Sequence, residues 1–170
     1  VRFTHWGKQF WQFAGGYLSP RRSIKPLLFF LLIVAMTLVS VRISLVHSEW
    51  YNNMYTSLQE FNEPVFWDQM VLFCVIATSS VIAALVSYYL EQRFSIDWIE
   101  WLNGQLVDKW MNNRAYYKTQ YVSANLDNPD QRIQQDVQSY VRTTLSLSTG
   151  VIDAVTSMIS YTILLWGLAG

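Results

Sequence analysis

Charge is scarce in this sequence. Only 14% of its 170 residues are Asp, Glu, Lys or Arg, where a soluble domain averages about 25%. The twelve basic and twelve acidic residues cancel. A balanced chain lacks the basic face that a nucleic acid requires, and it lacks the surplus that would draw an acidic substrate. Cysteine is reduced to Cys74, inside an apolar run, so an intrachain disulfide framework is excluded. Histidine is limited to His5 and His47, far apart in sequence. A metal site or a Ser-His-Asp arrangement needs more, so no metal ligands and no catalytic residues are assigned. The 170 residues also contain no GxxxxGK[ST] loop, the turn whose backbone N–H groups cradle nucleotide phosphates.

Apolar length is what the chain has in quantity. Hydrophobic residues make up 52%, with 8 Trp, 10 Tyr and 9 Phe. Three runs are long enough to cross a bilayer, for which roughly 20 mostly apolar residues suffice. They are Pro26 to His47, Val71 to Leu90, which carries no charge, and Val151 to Gly170. The sequence begins at Val1 and stops at Gly170 within the third run, so the expectation is a piece of something longer.

The basic residues set an orientation. Arg2, Lys8, Arg21, Arg22 and Lys25 precede the first run, and Arg93, Lys109, Arg114, Lys118, Arg132 and Arg142 follow the second. Between the first two runs lie Glu49, Glu60, Glu63 and Asp68 with no Lys or Arg. Positive charge stays inside, so the N-terminus and the segment after the second run face the cytoplasm, and the acidic loop faces out. Trp50, Tyr51 and Trp67 mark the outer interface, Tyr88 and Tyr89 the inner one. Residues 1–25 form a cytoplasmic or interfacial segment. Within it THWGKQFWQFAGGY, Thr4 to Tyr17, suits a short helix lying in the inner interface before Ser19-Pro20.

Helical periodicity does not stop at Leu90. It continues with Phe94, Trp98, Trp101, Leu102 and Trp110 near one face, and no proline interrupts Val65 to Asn113. Gly104 is only a weak breaker. A helix of about 45 residues is roughly 70 Å long, and the hydrocarbon core is only ~30 Å thick. The excess, some 30 Å or more by the same rise per residue, should project into the cytoplasm. The third run has a matching lead-in from Pro129. Residues 91–145 are therefore expected to be a stalk of two long helices joined at a tip near Asn112 to Asn128. The tryptophans are expected to pack the stalk rather than to bind a ligand.

The tip ends in NLDNPDQRIQQDV, Asn125 to Val137. Asn128 is a good N-cap, Pro129 suits the first helical position, and Asp130 sits at the positive end of the helix. Gln131, three residues after the cap, completes a capping-box arrangement. Alone, this says that a helix starts here.

The string NPDQRIQQDV also resembles a cytoplasmic-loop signature of one group of ABC transporters. The group includes the peroxisomal fatty-acyl-CoA transporters and bacterial relatives with fused permease and ATPase, among them mycobacterial-type cobalamin and hydrophilic-peptide transporters and YddA-like proteins. WGKQFW, YNNMYTSLQ, AYYKTQ and LSLSTG…SYTILLW match as well. The ATPase-free SbmA/BacA peptide transporters are more distant. The resemblance implies an all-α polytopic membrane protein: a fragment, residues 26–170, of a type IV, exporter-like ABC transmembrane domain. It implies six core spans per subunit, a homodimer in the bacterial inner membrane, and a hydrophilic solute such as cobalamin or peptides. Asn128, Pro129, Asp130, Gln131, Arg132 and Asp136 would then lie at or beside the zone that docks on a nucleotide-binding domain. ATP and Mg would belong to that domain, downstream in the same chain.

Polar residues inside the apolar runs are the remaining candidates. Ser146, Thr149, Asp153, Thr156, Ser157 and Ser160 recur at three- and four-residue spacing. Lipid contact on that stripe is costly, so it should face other helices or a water-filled cavity. Thr149, Asp153, Ser157 and Ser160 are the cavity-lining candidates, with an interhelical hydrogen bond as the alternative for Asp153, the only acid in these runs. Arg42 lies towards the outer end of the first run, where snorkelling to the interface explains it. Ala77, Ser80, Ala84 and Ser87 form a small-residue stripe suited to close helix packing. Three functions follow from the sequence: an ATP-driven transporter of hydrophilic solutes, a proton-coupled transporter of the ATPase-free branch using Asp153, or a non-transporting assembly factor.

Overall fold

A computed structural model describes residues 15–18, 24–112 and 129–169. Its long elements are three α-helices: α1, Lys25–Gln59; α2, Glu63–Asn112; and α3, Pro129–Ala169. The described part of the upstream segment is a helical turn at 15–17; the rest of Thr4 to Tyr17, and Ser19-Pro20, lie outside the described residues. The tip residues up to Asn128 lie outside them too.

Each helix is much longer than its apolar run. α1 has 35 residues, α2 has 50 and α3 has 41. At ~1.5 Å per residue, α2 alone holds ~75 Å of helix, more than twice the ~30 Å that a hydrocarbon core needs. No break occurs at Leu90 or at Gly104. Gly104 has open space where a Cβ would stand, so it costs helix propensity but demands no special backbone.

The acidic stretch expected as a loop is mostly helix. Only Glu60 to Asn62 separate α1 from α2. The turn is a Schellman motif: the Asn62 N–H donates to the Ser57 carbonyl at 3.0 Å and the Phe61 N–H to the Leu58 carbonyl at 3.4 Å. Phe61 takes the left-handed position, φ 50°, that glycine usually fills. Asn62 then caps α2, its Oδ1 accepting from the Val65 N–H at 3.4 Å. Glu63 opens the helix, an acid at its positive end.

Contacts divide the chain into two units. One holds residues up to Phe30 with Gln92–Leu147, the other Leu31–Glu91 with Ser148–Gly170. The first has a well-buried core. α2 contributes Phe94, Trp98 and Leu102 at four-residue spacing, and α3 contributes Val137, Val141 and Leu145 at the same spacing. Helical residues four apart share a face, so each helix lays one stripe against the other. Tyr17 joins them, also buried. Trp101 and Trp110 are half-buried.

The second unit is the opposite. Of the most apolar 18-residue window of α1, α2 and α3, 11%, 11% and 0% is buried. Leu31, Leu38, Val71, Val75, Leu85, Val151, Met158 and Ile163 are all exposed. Exposed apolar surface on this scale requires lipid or further helices. The three helices are long and apolar enough to cross a membrane, and the chain is a multi-pass membrane protein. Within this unit Trp50 ties α1 to α2: its Nε1–H donates to the Gln69 carbonyl at 2.8 Å, and its ring lies 4.9 Å from that of Phe73. The small-residue stripe of α2 is offset from expectation. Ile76 and Ala83 are the buried positions, Ala77, Ser80 and Ser87 are half-buried, and Ala84 is exposed.

Candidate functional site

The residues singled out from sequence fall into two places. At the start of α3, Pro129 and Asp130 are in the first helical turn, and Asn128 lies outside the described residues. Gln131, Arg132 and Asp136 are exposed. The reason is the four-residue stripe Val137–Val141–Leu145, which turns one face inward and leaves these polar residues on the others. Asp136 also rims an apolar crevice of about 240 Å³ with Leu102, Leu106, Ile133, Val137 and Tyr140. Tyr140 meets Trp98 edge-on at 6.2 Å. Burial pushes its hydroxyl pKa up, and a hydrogen bond with Thr144 pulls the other way.

The second place is the polar stripe of α3. Thr149, Thr156, Ser157 and Ser160 are half-buried and Asp153 is exposed. At 3.6 residues per turn they share an arc of about 100°. Six of the seven Ser and Thr hydroxyls in the first two apolar runs bond to their own helix, Ser87 being the exception among the described residues. Thr37, Ser40, Ser44, Thr78 and Ser80 each donate to the carbonyl four residues earlier, at 2.7–3.1 Å. Thr162 does the same in α3, at 2.6 Å. Thr156, Ser157 and Ser160 make no such bond among the described residues. A hydroxyl left unsatisfied in hydrocarbon is costly, so these three call for water or another chain segment.

Ser160 lines a crevice of about 350 Å³ with Arg42 and Glu49. The structure thus brings Arg42 to the end of the polar stripe, a neighbourhood that sequence spacing did not reveal. Arg42 also borders a mostly apolar crevice between α1 and α2, with Leu38, Val46, Leu72 and Ile76 among its walls. Asp153 and Thr149 line neither.

A third cluster escaped the sequence. Tyr17, Lys25, Pro26, Phe29, Arg93, Phe94 and Asp97 line one crevice of about 410 Å³. Arg93 and Asp97 pair at 3.4 Å. Burial, reinforced by Asp97 and opposed by Arg93, pushes the Tyr17 hydroxyl up to about 12. Charge spacing signals the Arg93–Asp97 pair, but nothing local places Tyr17 or Lys25 beside it.

Long apolar helices, a buried core between α2 and α3, and three hydroxyls without a bond to their own helix together describe a polytopic membrane protein. Residues 14–170 match the family described as ABC transporter transmembrane region 2. The chain belongs to that family. It is the membrane region of an ABC transporter, all-α and polytopic, as the resemblance implied. Over all 170 residues it is 88% identical to an uncharacterized ABC transporter ATP-binding protein of Haemophilus influenzae, covering 29% of that protein. It is 32% identical over 145 residues to the inner membrane ABC transporter ATP-binding protein YddA of Escherichia coli, covering 84% of this chain and 26% of YddA. With the lysosomal cobalamin transporter ABCD4 of Homo sapiens it shares 27% over 150 residues, 85% of this chain and 24% of that protein. The chain spans less than a third of the length of these relatives.

Proposed function

We propose that this chain is the membrane-spanning part of an ATP-driven transporter moving hydrophilic solutes across the bacterial inner membrane, with its N-terminal side in the cytoplasm. The observation that carries this reading is the length of α2 and α3 beyond their apolar runs, together with the packed core those extensions share. A simple anchor gains nothing from such a stalk. A transporter that must take force from a cytoplasmic motor requires a stiff one. In this reading the tip at Asn128 to Arg132, with Asp136, meets a nucleotide-binding domain that holds ATP and Mg outside these residues. The full transporter is a homodimer whose paired subunits close the exposed apolar faces. The names of several relatives carry the words ATP-binding protein, which supports the motor. The word cobalamin in the name of the human relative supports a hydrophilic cargo of that kind, with peptides as the other class.

The test substitutes Asp130→Ala and Arg132→Ala in the full-length protein. ATP hydrolysis should persist while solute uptake falls at least tenfold. Normal uptake in the double variant removes the tip from the coupling step.

A second reading is favoured by one observation, the exposure of Asp153 beside Thr156, Ser157 and Ser160, three hydroxyls that do not bond to their own helix among the described residues. In a proton-coupled transporter, that carboxylate would carry the proton. Uptake by the Asp153→Asn protein decides between them. Loss of uptake together with its dependence on a pH gradient favours proton coupling; uptake that still follows ATP and ignores the gradient favours the motor.

A further inference from the structure

The apolar run of α1 carries a single charged residue, Arg42. Neither Arg42 nor Glu49 has an ion pair or a side-chain hydrogen bond among the described residues, and both are exposed. Yet the two line one crevice of about 350 Å³, together with Ser160 and apolar walls that include Leu45 and Ile163. All of these residues belong to the unit formed by Leu31–Glu91 and Ser148–Gly170. A guanidinium stays charged at every pH the protein meets. A charge inside a membrane-spanning run is costly, and one without a partner marks a binding or transport path. Ser160 makes no hydrogen bond to its own helix among the described residues, so its hydroxyl is open to a ligand. Arg42 and Glu49 are seven residues apart. That is nearly two turns, so they share a face of α1 and stand about 10.5 Å apart along its axis. Helical side chains lean towards the N-terminus, so both heads shift the same way and the spacing is kept. The crevice therefore offers a cation and an anion, held apart, with a hydroxyl beside them.

We propose that this crevice binds an elongated zwitterion, whose carboxylate meets Arg42 and whose ammonium meets Glu49, with Ser160 hydrogen-bonding the polar stretch between them. The planar fork of Arg42 matches a carboxylate with two parallel hydrogen bonds. A simple anion would face repulsion from Glu49, and a simple cation would leave Arg42 unpaired. A solute with both charges answers both walls. Its length follows from the spacing: an extended chain of three residues spans about 10 Å, whereas a single amino acid holds its charges only a few bonds apart. The crevice volume, about 350 Å³, lies at the small end of the roughly 300–1,000 Å³ of ligand sites. The proposal rests on the hydrophilic cargo of the reading above and assigns it a place on α1 and α3.

The test measures binding of radiolabelled triglycine to the full-length protein in detergent, by equilibrium dialysis without ATP. Binding is thereby separated from coupling, so loss of the site leaves the ATP-driven reading to the uptake assay. Capping either end of triglycine, as the C-terminal amide or the N-acetyl form, should weaken binding at least ~10-fold, the low end of what a hydrogen bond to a charged group is worth. This comparison uses the wild-type protein and does not depend on the folding of a variant. Each cap should matter only while its partner is present. The amide should lose nothing further in Arg42→Gln, and the N-acetyl form nothing further in Glu49→Gln. Arg42→Lys should keep most of the preference for a free carboxylate. Ser160→Ala should weaken triglycine without changing the effect of either cap. Glycine and O-phosphoethanolamine, the zwitterion of a lipid headgroup, hold their charges too close together and should not compete. Absence of triglycine binding, equal binding of capped and uncapped forms, a cap effect that survives in its matching variant, or competition by either short zwitterion at the strength of triglycine overturns the proposal.

Discussion

Tyr17 lies flat against Trp98, their ring planes 7° apart and their centroids 5.6 Å apart. Phe94 meets both edge-on, at 5.6 Å from Tyr17 and 5.8 Å from Trp98, and Trp101 tilts against Tyr17 at 5.4 Å. Offset and edge-on rings each add about 0.5–1.5 kcal/mol beyond the area they bury. This cluster gives the unit formed by residues up to Phe30 and Gln92–Leu147 its packed core.

Removing the central plate should loosen that core. Trp98 is only 3% exposed, so Trp98→Ala should cost about 3–5 kcal/mol by lost burial and a residual cavity. Trp98→Phe should cost less. It keeps a ring and discards an indole N–H that has no acceptor among the described residues. Thermal unfolding of the purified full-length protein followed by tryptophan fluorescence should rank the wild type above Phe and Phe above Ala. Adding bulk should also hurt, since a Cβ at Gly16 would stand 3.2 Å from Trp101. Gly16→Val should lower the midpoint by an amount corresponding to about 1–3 kcal/mol.

The same cluster gives a pH signature. The Tyr17 hydroxyl is raised from its ordinary 10.0 to about 12, first by burial and then by Asp97. The group is neutral when protonated. In the unfolded chain it loses its proton near 10.0, and in the folded protein it keeps it up to about 12. Between those values the unfolded state binds fewer protons, so stability is full below pH 10.0 and declines as pH rises towards 12. A difference titration at 295 nm between wild type and Tyr17→Phe should show the missing tyrosine at the alkaline end. A difference centred near pH 10 contradicts its burial.

Phe61 is a residue whose backbone works against it. It is 93% exposed and sits at φ 50°, so its side chain gains little while its Cβ crowds the following carbonyl, a cost of roughly 1–2 kcal/mol. Phe61→Gly keeps both Schellman hydrogen bonds and should raise stability by about 1 kcal/mol. A lower melting temperature for that variant would mean that the ring anchors the turn in the interface.

Sequence periodicity makes the helices and the stalk face readable, for a physical reason. Phe94, Trp98 and Leu102 repeat at the helical period among polar neighbours, and no proline interrupts them, so pattern and propensity agree. The Glu60–Asn62 turn was hidden because its left-handed residue is a phenylalanine where a glycine would have announced it. The crevice at Tyr17, Lys25 and Arg93 was hidden because it joins residues from three segments, and spacing along one helix carries no information about the others. Arg42 shows the same limit. Its spacing suggests a snorkelling side chain, while the fold sets it beside Glu49 and Ser160. The stripe on α3 was legible, but which hydroxyls bond to their own helix, as Thr162 does and Ser160 does not, depends on side-chain geometry that sequence does not carry.

The stalk reading requires the Glu60–Asn62 turn and the start of α3 to lie on opposite sides of the membrane. In a full-length protein with Cys74→Ser, single cysteines at Phe61 and at Gln134 can be probed with a membrane-impermeant maleimide. Phe61→Cys should label in intact cells and Gln134→Cys only in inverted vesicles. Labelling of Gln134→Cys from outside intact cells, or of both positions from one side, contradicts the account.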